Sequence, residues 1–191
     1  MKKIAQTLSI ILGFPWLFII MWLFISKTNL MPPQIILFSV LLPLLYIVIP
    51  FGYFLWSLKK GIISDIDITK RTQRFGIMAL MLVLQLISVT FTYLYGSTNL
   101  FHLTLMILAI LIVAAFITLS WKISLHTTIN MIGILLVNVL LGWEYLYLFL
   151  LLPLVFWSRL YLKKHTPLQL LAGAGVSGAI MMAGFFYFNF L

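Results

Sequence analysis

Apolar residues occur along this chain in long runs, near 8–26, 33–57, 75–96, 99–121, 124–142, 144–159 and 166–190, separated by short polar stretches. A bilayer core of roughly 30 Å needs about 20 apolar residues per spanning helix. The pattern therefore predicts an all-α, polytopic integral membrane helical bundle with six or seven transmembrane helices, seven being the preferred count. The sixth run is short, and a tight turn at Gly142 sets it off from the fifth. Pro43, Pro50 and Pro153 should kink their helices, which bundles tolerate when neighbours satisfy the freed carbonyls. Lys2 and Lys3 precede the first run without a clear cleavage site behind it, so it reads as a retained helix rather than a signal peptide.

Composition agrees with that class. Hydrophobic residues make up 64% of 191 residues and charged residues 8%, and the mean hydropathy is +1.19. So few charges cannot cover a soluble domain of this length. The chain reads as a single transmembrane domain, 1–191, with two helices in 1–57 followed by a core in 58–191. With no cysteine, thiol chemistry, thiolate metal sites and disulfides are excluded, and the redox compartment cannot be read. The triplet Gly173, Gly175 and Gly178 matches G-x-G-x-x-G, but it lies inside an apolar helix. There, small residues serve close helix packing rather than a dinucleotide loop.

With seven crossings, the N-terminus and the segments 58–74, 122–126 and 160–165 share one side. That side carries Lys2, Lys3, Lys59, Lys60, Lys70, Arg71, Arg74, Lys122, Arg159, Lys163 and Lys164, against Lys27 opposite. The positive-inside rule makes the crowded side cytoplasmic, in an integral cell (inner) membrane.

Three polar islands lie at helix boundaries on that side: 64–74, 121–128 and 158–169. Lys59, Lys60, Lys163 and Lys164 fit a snorkelling rim against anionic headgroups. Arg159, His126 and His165 border apolar runs more closely, and ionisable residues at membrane depth point to function. Several cations, two histidines and no carboxylate pair suit phosphoryl transfer: cations neutralise the phosphoryl oxygens, one imidazole attacks and the other protonates the leaving oxygen. Two histidines without thiols make a poor zinc site, and no metal is assigned.

Ser158-Arg159-x5-His165-x3-Gln169 closely resembles the third signature, S-R-x5-H-x3-D, of the type 2 phosphatidic acid phosphatase superfamily. "KISLH", with Ser124 and His126, resembles its second signature, P-S-G-H, and "KRTQR" stands where the first, K-x6-R-P, would fall. The resemblance spans roughly residues 60–180. It implies a membrane phosphatase that hydrolyses a lipid-linked phosphate or pyrophosphate through a phosphohistidine, without metal or cofactor. In that scheme His165 is the nucleophile and His126 the general acid. Arg159, Ser124 and Arg74 hold phosphate oxygens, and Gln169 takes the place of the aspartate that orients the nucleophile. Lys122 and Arg71 join the phosphate-binding set on charge and position alone. Implied partners are a lipid phosphate substrate and membrane lipids, with no nucleic acid; transfer to another alcohol would use the same residues.

Departures from the family pattern are specific. Asp67 occupies the lysine position of the first signature and Phe75 its proline, while Ile123 and Leu125 replace proline and glycine in the second. Asp65 or Asp67 either pairs with the arginines or solvates the loop. Thr166, Pro167 and Gln169 also fit a helix start with a capping box, a competing role for Gln169. His102 fits an interfacial or packing role, and Gln85 an interhelical hydrogen bond. Two alternative readings of the chain remain: a substrate-binding membrane subunit of a transporter, or a degenerate relative that binds anionic lipid without turnover.

Overall fold

The computed structural model describes residues 1–13, 25, 27 and 29–190, and these contain only helices, turns and loops. The chain forms two compact units, one of Met1–Lys27 with Ile123–Leu191, the other of Thr28–Lys122. Four helical stretches are long and apolar enough to cross a membrane: Pro32–Lys59, Arg71–Tyr95, Thr98–Ser120 and Pro167–Tyr187. Protein buries only 28–39% of each span's apolar window, leaving apolar outer surface as lipid requires. Leu125–Leu140 and Leu146–Tyr161 are shorter apolar helices. The chain is thus a helical membrane protein.

A first short helix, α1 (Lys2–Ile11), opens the chain. It does not follow the expected run of 8–26: it starts six residues earlier, at Lys2, and closes at Leu12. The remainder of that run lies almost wholly outside the described residues.

The unit Thr28–Lys122 holds α2 (Pro32–Lys59), α3 (Arg74–Tyr95) and α4 (Thr98–Ser120). The Met31 N–H donates to Gln34 Oε1 (2.8 Å) at the start of α2, where Pro32 and Pro33 suit helix positions that need no donor. Pro43 and Pro50 do not break α2. A π-helical turn, Leu44–Val48, lies between them, with the Ile49 N–H reaching back to Leu44 O; this widened turn absorbs the donor that Pro50 lacks. Pro153 sits in the first turn of its helix, behind a 3₁₀ stretch, Leu146–Leu150. That is where a missing donor matters least.

Polar side chains tie these spans together. Gln85 Nε2 donates to Thr104 O (2.7 Å), the interhelical bond its sequence position suggested, and Thr92 and Thr104 hydroxyls meet at 2.8 Å. Tyr46 donates to Ser88 (3.0 Å) between α2 and α3. The His102 ring lies 5.7 Å from that of Phe101, consistent with packing in the first turns of α4.

The other unit holds α1, α5 (Leu125–Leu140), α6 (Leu151–Tyr161) and α7 (Pro167–Tyr187). α5 and α7 run side by side in one direction. The Ser124 N–H donates to Gln169 O and the Thr128 hydroxyl to Gly173 O, each at 3.2 Å and each across 45 residues. Gly173 permits this approach. A Cβ there would strike Thr127 Oγ1 and stand 2.5 Å from Ser124 O, whereas one at Gly175 would meet open space. The close-packing reading of the glycine motif therefore holds at Gly173 and does not apply to Gly175.

Candidate functional site

Two of the three polar islands meet at one end of the α5–α7 pair. Ser124 is fully buried and caps α5, its hydroxyl accepting from the Thr127 N–H (3.5 Å). Its carbonyl accepts from the Thr127 (3.0 Å) and Thr128 (3.1 Å) hydroxyls, and its N–H donates to Gln169 O. No glycine loop is needed to fix this backbone, although Ile123 and Leu125 replace the proline and glycine of the resembled signature. His126, half-buried, stands in the first turn of α5. Asn130 Nδ2 donates to His126 O (2.8 Å) and to Leu12 O (2.6 Å), fixing this turn against the end of α1.

The third island is built by a reversal of the chain after α6. The Lys163 N–H bonds Leu160 O (2.9 Å) and the Lys164 N–H bonds Arg159 O (3.0 Å). These are the two bonds of a Schellman motif, with Lys163 in the left-handed position at φ 53°. α2 closes in the same way, with Gly61 at φ 71°. The reversal sets His165 immediately before Thr166, the N-cap of α7.

His165 is 7% exposed, and its Nδ1 lies 3.3 Å from Gln169 Oε1. That oxygen also accepts the Thr166 N–H (3.2 Å), and the Gln169 N–H returns a bond to Thr166 Oγ1 (3.4 Å). The capping box and the histidine contact are therefore not alternatives; one amide oxygen makes both. A backbone N–H can only donate, which identifies the facing amide atom as oxygen. His165 Nδ1 then carries a proton, and in the neutral ring the lone pair is on Nε2.

Arg159 is 1% exposed, the largest fully buried side chain among the described residues, and its Nη1 donates to Ser9 Oγ on α1 (2.6 Å). Its neighbour Ser158 donates to Ala5 O (2.8 Å). The structure thus gathers Ser124, His126, Arg159, His165 and Gln169 in one compact unit.

Arg71, Arg74 and Lys122 belong to the other unit, where both arginines serve backbone carbonyls. Arg71 Nη1 donates to Thr118 O (3.0 Å) and Leu119 O in the last turn of α4, a cation at the negative end of a helix. Arg74, 5% exposed, donates to Ile68 O (3.0 Å) and Asp67 O (3.4 Å). The Asp65 carboxylate folds onto its own loop, accepting from the N–H groups of Asp67 and Thr69 (each 3.1 Å) and from the Thr69 hydroxyl (2.7 Å). Lys122 is half-buried after Trp121.

Sequence reasoning missed Ser9, Gly13 and Asn130. Asn130 carried a signal, four residues beyond His126 on the same helix face; Ser9 and Gly13 carried none. Comparison with models of known families, with curated proteins and with solved structures finds no match.

Proposed function

We propose that this membrane protein is a phosphatase of lipid-linked phosphates or pyrophosphates, working through a phosphohistidine at His165. The observation that carries the reading is Gln169 Oε1 accepting from His165 Nδ1, because that bond orients the ring and makes Nε2 the nitrogen that bears the lone pair in neutral imidazole. Nε2 attacks phosphorus, forming an N–P bond as the P–O bond to the lipid breaks. His126 protonates the departing alkoxide. Water then attacks the phosphohistidine and passes a proton to His126, the N–P bond breaks, and phosphate leaves. Arg159 supplies positive charge to the phosphoryl oxygens. Arg71 and Arg74, committed to carbonyls, build the second unit rather than hold phosphate.

Counted from the apolar pattern of the sequence, the two shorter helices and the first run would bring the four long spans to six or seven crossings, seven placing the N-terminus and site together on the cytoplasmic side. The excess of Lys and Arg on that side supports this orientation. Cysteines replacing Lys60 or Lys164 should resist membrane-impermeant thiol reagent in intact cells; ready labelling of both would reverse it.

Phosphate release by the purified protein from a panel of lipid phosphates, with and without chelator, tests the function. Release that persists in chelator is expected. A protein that releases no phosphate from any of them, or only with added metal, would refute the proposal.

A further inference from the structure

α1 touches the site with one end and lines a cavity with the other. Asn130 binds the Leu12 carbonyl, and just beyond it a Cβ on Gly13 would lie 3.6 Å from His126 Nε2. Nearer the start of α1, Ser158 reaches the Ala5 carbonyl and Arg159 the Ser9 hydroxyl, holding this helix along α6. That packing brings Lys2 beside the reversal that follows α6. Lys2, Leu160, Tyr161, Leu162 and Lys163 line a cavity of about 580 Å³ there, within the range of roughly 300–1,000 Å³ that small ligands occupy.

The lining is amphiphilic. It carries two ammonium groups, and the unit sets no carboxylate beside them: Glu144 is the only acidic side chain in 1–27 and 123–191, and it precedes the opposite end of α6. The Tyr161 ring stacks on Trp157, centroids 5.5 Å apart, and such amphipathic rings settle at the headgroup level of a bilayer. Leu160 and Tyr161 are both exposed, so the cavity continues into apolar outer surface.

Lys163 is held there against local preference. It takes the left-handed conformation (φ 53°) that Gly61 takes after α2 (φ 71°). A Cβ is strained in that region, and glycine would close the turn more stably. The turn itself thus gains nothing from the lysine.

We propose that Lys2 and Lys163 form a binding site for the phosphate of an anionic phospholipid, whose glycerol and acyl chains run along Leu160 and Tyr161. A cationic rim attracts such lipids diffusely. This site is discrete, with one cation from α1 and one from the end of α6, so its occupant clamps the two helices together. It does not rest on the phosphatase reading, since neither lysine belongs to that constellation.

Thermal unfolding and native mass spectrometry of the purified protein in neutral detergent, titrated with phosphatidylglycerol, test it. Wild type should retain one phosphatidylglycerol, and its unfolding temperature should rise with added lipid to a plateau. Lys2→Gln and Lys163→Gln should each weaken retention about tenfold, while Lys3→Gln and Lys60→Gln, which remove the same charge elsewhere, leave it unchanged. Lys163→Gly should unfold about 2–4 °C above wild type without lipid, yet need about ten times more lipid for the rise. Equal losses in all four glutamine variants would reveal a diffuse rim and overturn the site, as would a Lys163→Gly protein that binds lipid as wild type does. The same rise with phosphatidylcholine, or with inorganic phosphate alone, would overturn the anionic phospholipid as its occupant.

Discussion

His165 Nδ1 and Gln169 Oε1 stand 3.3 Å apart, one helical turn from each other across the N-cap of α7. The same oxygen receives the Thr166 N–H, so the device that starts the helix also sets the tautomer of the imidazole.

Gln169→Leu should therefore damage fold and chemistry together. Loss of the cap costs about 1 kcal/mol, and loss of the imidazole partner lowers turnover per folded molecule about 10–100-fold. Gln169→Asp retains or raises activity, because a carboxylate stabilises the cationic ring, and Gln169→Glu does so while keeping the reach of the cap. Melting temperature and rate on the same samples check this. A leucine variant that loses stability but keeps its rate would confine Gln169 to the helix cap.

Gly173 and Gly175 should respond oppositely to alanine. At Gly173 the new methyl meets Thr127 and the Ser124 carbonyl, prying α5 from α7 where Ser124 and Gln169 join. A cost of about 1–3 kcal/mol is expected, as for other overpacked sites. Gly175 faces open space, and Gly175→Ala should be neutral or stabilising by up to about 1 kcal/mol. Thermal unfolding in detergent measures both; equal effects would contradict the packing account.

Arg74→Ala separates loop building from phosphate binding. It leaves the Ile68 and Asp67 carbonyls without their guanidinium, at a cost of about 1–3 kcal/mol. KM and orthovanadate affinity of the folded variant should stay at wild-type values. A tenfold rise in KM at unchanged melting temperature would return Arg74 to the phosphate site.

Where apolarity sets the helix limits, they were legible in the sequence. The runs 75–96, 99–121 and 166–190 agree with Arg74–Tyr95, Thr98–Ser120 and Pro167–Tyr187 to within a residue or two, apart from the last three residues of the third. α1 was not legible. Lys2, Lys3, Gln6 and Thr7 interrupt apolarity, and the helix is defined instead by contacts of Ala5 and Ser9 with α6. The reversal at Lys163 was equally hidden, because lysine takes the left-handed position that Gly61 fills, and signals, after α2. His165, Arg159 and Gln169 stood out through motif and charge. The double duty of Gln169 did not, since spacing offered two roles and only the shared oxygen shows that both are met.

The most direct test is to trap the phosphoenzyme. Purified protein is mixed with a lipid phosphate carrying radiolabelled phosphorus, quenched in alkali within the first turnovers, and mapped by peptide analysis. The account predicts acid-labile, alkali-stable label on the peptide containing His165, absent in His165→Ala and accumulating in His126→Ala if proton transfer limits its breakdown. Phosphate release without such label, or equal labelling and turnover in His165→Ala, would contradict it.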